Sequence, residues 1–311
     1  MISPVLLRAQ AVAVDPKIPA YAPASGISGN LSSVGSDSLN NVMTLWAEGF
    51  KKAHPNVVVQ IEGKGSSTAP PALVSGTAQL GPMSRAMKAE EMDAFEKKYG
   101  YKPTEIRVAI DTLAVFVHKD NPVKGFTLRE IDSIFSSTYK RGGLPIDNWS
   151  AFKLGGALAN KPISRYGRNS ASGTYGFFKE HSLAKGDFTV RVKEQPGSSA
   201  VVQGVEKEIG AIGYSGIGYA TSGVRAAAIS DDGKAPKYVE ATYANALNGT
   251  YPLTRFLFIY INSHPRKGPE PLVAAFIKYV HSQEGQQVVV KDGYFPLTIQ
   301  MIDRMKGDIG L

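Results

Sequence analysis

Two long apolar runs, near residues 106–118 and 252–262, constrain the fold of this chain more than any other feature. They lie in EIRVAIDTLAVFVHKDNP and YPLTRFLFIYIN, are rich in β-branched and aromatic residues, and exceed the usual strand length of about 5–6 residues. Around them, shorter strand and helix patterns alternate. GNLSSVG and NVVVQIEG read as strands on either side of a helix marked by the spacing of Leu39, Val42, Met43, Trp46 and Phe50, which His54-Pro55 ends. AQLGPMSR reads as a strand and KAEEMDAFEKKYG as an exposed helix, and Thr127 caps the helix in TLREIDSIFSS. NKPISRYGRNSASGTYGFFKEHSL reads as strand, loop and helix, GAIGYSGIGYA as a Gly-rich strand and turn, and PEPLVAAFIKYVHSQEGQQVVVKDGYFPL as one long amphipathic helix with an aromatic and proline tail.

This alternation predicts an α/β fold with a mainly parallel sheet. The two long runs divide the chain into three segments, which predicts two lobes joined by two crossing strands. Residues 30–115 with 256–311 form the first lobe, residues 116–255 the second, and residues 1–29 an extended N-terminal segment. A ligand would then sit in the interlobe cleft, where helix N-termini meet the carboxyl ends of strands.

With 311 residues, 43% of them apolar and 20% charged, the chain can bury two cores, and no apolar run approaches the roughly 20 residues of a spanning helix. The net charge of +8 fits nucleic acid, an anionic surface or a small anion, and equally a basic surface without special meaning. No basic stretch is interleaved with aromatics, so no nucleic-acid partner is expected. The absence of cysteine excludes disulfides, thiolate metal sites and a cysteine nucleophile. His54, His118, His181, His264 and His281 are scattered without metal-ligand spacing and read as solvated or capping. Glu90-Glu91 and Asp231-Asp232 read as solvated charges, and no nucleotide P-loop or G-x-S-x-G elbow is present. Neither a metal, a cofactor nor a catalytic residue is expected. MISPVLLRAQAVAVDPK holds an A-x-A-like AQA, but its apolar piece is too short for a full signal-peptide core, and it reads as a trimmed start or a remnant.

Three stretches share one arrangement: VGSDSLNN at 34–41, GKGSSTAPP at 63–71 and GRNSASGTYGFF at 167–178. Each sets Gly and small hydroxyl residues directly before a helical pattern. A helix start carries unpaired N–H groups and a partial positive charge, Gly admits close approach, and Ser and Thr add hydroxyl donors. Arg168 adds a forked charged donor. Such a set suits a tetrahedral oxyanion. Read singly, Ser36, Asp37, Ser66, Ser67 and Ser172 are also plain helix caps.

From about residue 30 to 300 the chain resembles the periplasmic phosphate-binding proteins of phosphate ABC transporters, which have the two-lobe type II periplasmic binding protein fold with two hinge strands. The likeness rests on GSDSLNNVMTLWAEGF, VVVQIEGKGSSTAPPALVSGTAQLGPMSR, RYGRNSASGTYGFF and GAIGYSGIGYA, and above all on the R-x-x-x-S-G-T spacing from Arg168 to Ser172-Gly173-Thr174. The resemblance implies that Arg168, Ser172, Gly173, Thr174 and Ser66 bind phosphate oxygens, with backbone N–H groups around Asp37 and Ser38. Ser36, Ser84 and Arg85 complete the expected phosphate-binding set.

Two positions depart from the family pattern. Arg85 stands where many members carry an aspartate that accepts the proton of hydrogen phosphate, and Ser170 stands where many carry an acid. A site of donors alone should take fully ionised sulfate as readily as hydrogen phosphate, because an unreceived buried proton costs about 1–3 kcal/mol. Asp37 is therefore expected to be the acceptor, with Arg85 balancing charge beside it. The resemblance implies high-affinity capture of inorganic phosphate by an exported, periplasmic monomer and delivery to the permease subunits of a membrane ABC transporter. Phosphatase action on phosphomonoesters, binding of sulfate or molybdate, and an extracellular adhesion role are the alternatives.

Overall fold

The computed structural model describes residues 12–231 and 237–309; the AQA at 9–11 and Asp232 lie outside them. The chain opens with β1 (Gly29–Val34), α1 (Asn40–Ala53), β2 (Val57–Glu62), α2 (Ala69–Ser75), β3 (Leu80–Met83) and α3 (Ala89–Tyr99). The first long strand is β4 (Thr104–His118). It is followed by β5 (Gly125–Thr127), α4 (Leu128–Phe135), β6 (Ser164–Arg168), α5 (Gly173–His181), β7 (Val192–Gln195) and α6 (Ser198–Lys207). Then come β8 (Ala211–Gly216), β9 (Val224–Ala226), β10 (Ala228–Ser230) and α7 (Tyr243–Leu247). The second long strand, β11 (Thr254–Ile261), precedes α8 (Pro271–Val280), α9 (Gln283–Lys291) and α10 (Ile299–Ile309).

The main sheet runs β2-β1-β3-β11-β4-β8-β6-β7, with β9 pairing the far end of β4. It is mixed rather than mainly parallel. Pairing is parallel at β1–β2, β1–β3, β6–β7 and β6–β8, where α-helical crossovers return the chain, and antiparallel where the two long strands join the halves.

β4 changes partner partway along. Thr104–Thr112 face β11, and from Leu113 onward the strand faces β8. The change falls at Asp111-Thr112, the polar pair within the strand's buried stretch, and both residues are fully buried. Two separate cores flank this point. One packs Leu31, Trp46, Phe50, Ile106 and Leu257; the other packs Leu113, Val115, Phe135, Phe178 and Leu253. Leu113 and Val115, expected in the first lobe, thus pack with the second.

The predicted long helix after residue 269 is two helices, α8 and α9, broken at His281-Ser282. The Ser282 hydroxyl accepts the Gly285 amide and starts a new helix, and a Cβ at Gly285 would lie 2.1 Å from the Tyr279 carbonyl. The tight bend lets the Trp46 indole donate to the Gly285 carbonyl at 2.8 Å, locking α1 onto the break. Residues 12–28 form no helix or strand and lie across the first lobe, where the Tyr21 hydroxyl pairs with His54 Nε2 at 2.7 Å. His54 ends α1 as expected, His281 ends α8 where one continuous helix was expected, and both are buried rather than solvated.

Candidate functional site

The three Gly/Ser loops converge between the lobes. Each loop leads from the carboxyl end of a parallel strand into a helical turn: β1 into residues 37–39, β2 into 66–68, and β6 into α5. Ser38 Oγ and Thr174 Oγ1 share a hydrogen bond of 2.8 Å, joining the first loop to the third. Ser36 Oγ donates to Ser84 Oγ at 3.1 Å, and Ser66 Oγ lies 3.3 Å from the same oxygen while accepting the Ser84 amide at 3.0 Å. The Ser67 amide donates to the Ala171 carbonyl at 3.1 Å, closing the second loop on the third. Ser172 caps α5 through the amides of Thr174 and Tyr175. The cap role and the gathered site coexist.

Glycine makes this convergence possible at Gly173. A Cβ there would sit 2.3 Å from Ser66 Oγ and 2.9 Å from Ser66 Cβ, so no larger residue fits where the loops meet.

Arg168 is 1% exposed. Its Nη1 donates to Ser198 Oγ at 2.8 Å and lies 3.1 Å from Asp37 Oδ2, and its Nη2 donates to the Pro196 carbonyl at 3.1 Å. Nε has no partner among the described residues. Burial pulls the guanidinium below its ordinary pKa, and the Asp37 charge works against that pull. A buried cation with an unspent N–H, set beside Asp37 and the start of α6, has the chemistry to hold an anion.

Asp37 is held from the second lobe, its Oδ2 accepting the Ser198 amide at 2.8 Å as well as facing Arg168. The expected placement of Arg85 beside Asp37 is not what the structure has. Arg85 forms a two-pronged pair with Glu91 at 2.7 Å on each arm and touches Ser67 Oγ at 3.3 Å. Glu91 is therefore no solvated charge. Burial alone would raise its carboxyl, but Arg85 and the Lys88 amide hold it below the ordinary value.

Sequence reading missed two parts of the site. PGSSAVV is a fourth Gly/Ser turn before a helix, the start of α6, and it supplies Ser198. Its mixed-sign flanks hid the buried Val201, Val202 and Val205 behind it. The other part is a second guanidinium. Arg255 on β11 meets Asp111 on β4 at 2.7 Å, donates to the Ser84 carbonyl at 2.8 Å and to Thr174 Oγ1 at 3.0 Å. Asp111 also accepts the Ile217 amide at 3.0 Å, so this pair on the two long strands ties both lobes together. Its signal was a charge set deep inside each long apolar run, Asp111 in the first and Arg255 in the second.

Because Arg255 and Asp111 are 5% and 0% exposed, Asp111→Asn should strand a buried cation and cost about 3–5 kcal/mol. Thermal unfolding should show a midpoint lower by at least about 6 °C, at roughly 2–4 °C per kcal/mol; an unchanged midpoint would mean that the pair does not hold the lobes together.

Asp292 lies at the same junction, bonded by the Asn41 side chain and packed against Gly218. Burial pushes its carboxyl from 3.8 up to about 6. The folded state then binds a proton that the unfolded state has released, so stability falls as pH rises through that window. Asp292→Asn should raise the unfolding midpoint at pH 7.5 and leave it unchanged at pH 3.5. Equal effects at both pH values would assign the change to something other than ionisation.

Residues 20–284 match the family model described as a PBP superfamily domain. The chain is 56% identical over 300 residues to the phosphate-binding protein PstS of Pseudomonas aeruginosa, covering 96% of this chain and 93% of the relative. It is 31% identical to the protein SphX of Synechococcus elongatus over 85% of this chain and 76% of SphX. Among solved structures, one from Clostridium perfringens, assigned to a putative phosphate ABC transporter substrate-binding protein with bound phosphate, superposes with a TM-score of 0.73 at 30% identity. The superposition covers 87% of this chain and all of the other.

Proposed function

We propose, given that the chain belongs to the PBP superfamily and within it to the PstS phosphate-binding proteins, that it binds inorganic phosphate in the interlobe site and delivers it to a membrane ABC transporter. The observation that carries this reading is Arg168, buried and with a free Nε–H, paired to Asp37 in the first of three hydroxyl-bearing loops that meet one another. Those helix starts, Ser38, Ser66, Ser172, Gly173 and Thr174 with Arg168, would enclose the phosphate oxygens. Closure of the lobes around the anion replaces its water shell with fixed donors and ties occupancy to one overall shape, which a permease can recognise. Delivery in this form fits an exported protein, monomeric and without nucleic acid as a partner. No helix among the described residues is long and apolar enough to cross a membrane.

Phosphate differs from sulfate by the proton it carries at neutral pH. Asp37 is the carboxylate in the first loop, and with Oδ2 engaged by Ser198 and Arg168 its other oxygen would receive that proton. Asp37→Asn should weaken phosphate binding and admit sulfate as a competitor. Calorimetric titration with both anions checks this, and unchanged phosphate affinity together with unchanged rejection of sulfate would take Asp37 out of that role.

The partners of Ser36, Ser38, Ser66 and Ser84 are other hydroxyls and a backbone amide, which gives none of them a base to make it a nucleophile. The arrangement favours binding over phosphoester cleavage. Equilibrium dialysis with labelled phosphate, with sulfate and molybdate as competitors, tests the reading; saturable binding displaced only by phosphate supports it, and displacement by sulfate at equal concentration contradicts it.

A further inference from the structure

Two tyrosines hold the first loop from its carbonyl side. Tyr219 follows β8 in the second lobe and donates to the Asp37 carbonyl at 2.9 Å, with the Ser38 carbonyl 3.4 Å away. Tyr294 lies in the first lobe after α9 and donates to the Ser38 carbonyl at 2.8 Å. Burial holds both phenols well above their ordinary pKa, so each keeps its proton and remains a donor. Tyr219 is carried to the loop by a tight crossing of backbones: a Cβ at Gly218 would lie 2.8 Å from the Asp292 carbonyl, and one at Gly293 would lie 3.0 Å from Gly218 Cα.

In a trans peptide the C=O and N–H point in opposite directions. A bond that fixes the Asp37 carbonyl therefore fixes the N–H of Ser38. The Asp37 carbonyl already accepts the Asn40 amide, so the phenol takes its second lone pair and further polarises the same peptide. We propose that Tyr219 is a positioning residue that couples lobe closure to anion capture: reaching across from the second lobe, it aims and polarises the Ser38 N–H, while Tyr294 steadies the same loop from within the first lobe. This rests on the phosphate-binding reading above.

The test compares Tyr219→Phe and Tyr294→Phe, which keep the rings and remove only the hydroxyls, by stopped-flow phosphate binding and by amide NMR. A neutral hydrogen bond is worth a factor of about 2–10. Tyr219→Phe should raise the phosphate dissociation rate by that factor with little change in association. It should also move the Ser38 amide proton upfield in the phosphate-bound protein. Tyr294→Phe should slow association as well, because its bond lies within one lobe and precedes closure. In the wild-type complex the Tyr219 hydroxyl proton should exchange slowly enough to be seen. A wild-type dissociation rate with an unmoved Ser38 amide in Tyr219→Phe, or a fast-exchanging Tyr219 hydroxyl in the wild-type complex, would overturn the inference alone. Failure of the wild-type protein to respond to phosphate would overturn the functional reading with it.

Discussion

Arg168→Ala is expected to weaken phosphate binding by roughly 30-fold to several thousand-fold. Removing one member of a buried, charge-assisted set costs about 2–5 kcal/mol, and about 1.4 kcal/mol is a factor of ten. Arg168 is nearly fully buried, its two terminal nitrogens are committed to Ser198, Asp37 and Pro196, and its Nε has no partner among the described residues. Alanine removes the positive charge that faces Asp37 and leaves that carboxylate, a negative charge, facing the incoming anion. Arg168→Lys separates charge from geometry. Lysine restores a cation but has no fork with which to hold Asp37 and Ser198 while donating onward, so affinity should recover only in part. Calorimetry on protein freed of endogenous anion by unfolding and refolding reads both variants. Wild-type affinity in Arg168→Ala would show that the anion seat lies elsewhere.

Gly173→Ala should act on the approach of the lobes rather than on any charge. The added methyl would meet Ser66 Oγ at 2.3 Å, Ser84 Oγ at 2.7 Å and Ser66 Cβ at 2.9 Å, so rotating the Ser66 hydroxyl does not relieve the clash. Forcing extra volume into packed groups costs about 1–3 kcal/mol, which lowers phosphate affinity roughly 5- to 150-fold. Gly173 is the first residue of α5 and has no positive φ, so folding stability should hold. Gly176→Ala in the same helix is the control, since its Cβ would meet only the Arg85 side chain, at 3.3 Å. Small-angle scattering with and without phosphate completes the test. Gly173→Ala should fail to contract on adding phosphate at concentrations that close the wild-type protein. Normal contraction and affinity would mean that the loops need not meet this closely.

Much of this architecture is legible in the sequence because its signals are local. Thr127 does cap α4, with Glu130 returning the bond in a capping box. The spacing of Val42, Met43, Trp46 and Phe50 does mark the buried face of α1. Each of the three Gly/Ser stretches is a strand-to-helix turn, and such turns are written in consecutive residues. What was not legible depends on how side chains choose among partners, one of them only six residues away and the others far along the chain. Whether Arg85 faces Asp37 or Glu91 is decided by the start of α3, where the Glu91 carboxylate also takes the Lys88 amide. The pairing of Asp111 with Arg255 spans 144 residues, and the reach of Tyr219 to the Asp37 carbonyl spans 182. The break between α8 and α9 was within reach, since Ser282 and Gly285 are a cap and a close-packed glycine in plain sequence order. The strong apolar periodicity on both sides masked it.

The most direct measurement is the identity of the anion released when the purified protein is unfolded in acid, read by ion chromatography against total protein. An interlobe phosphate seat built on Arg168 predicts inorganic phosphate at close to one equivalent per chain, falling to background in Arg168→Ala. Release of sulfate or molybdate in place of phosphate, or an equal phosphate yield from the Arg168→Ala protein, would contradict it.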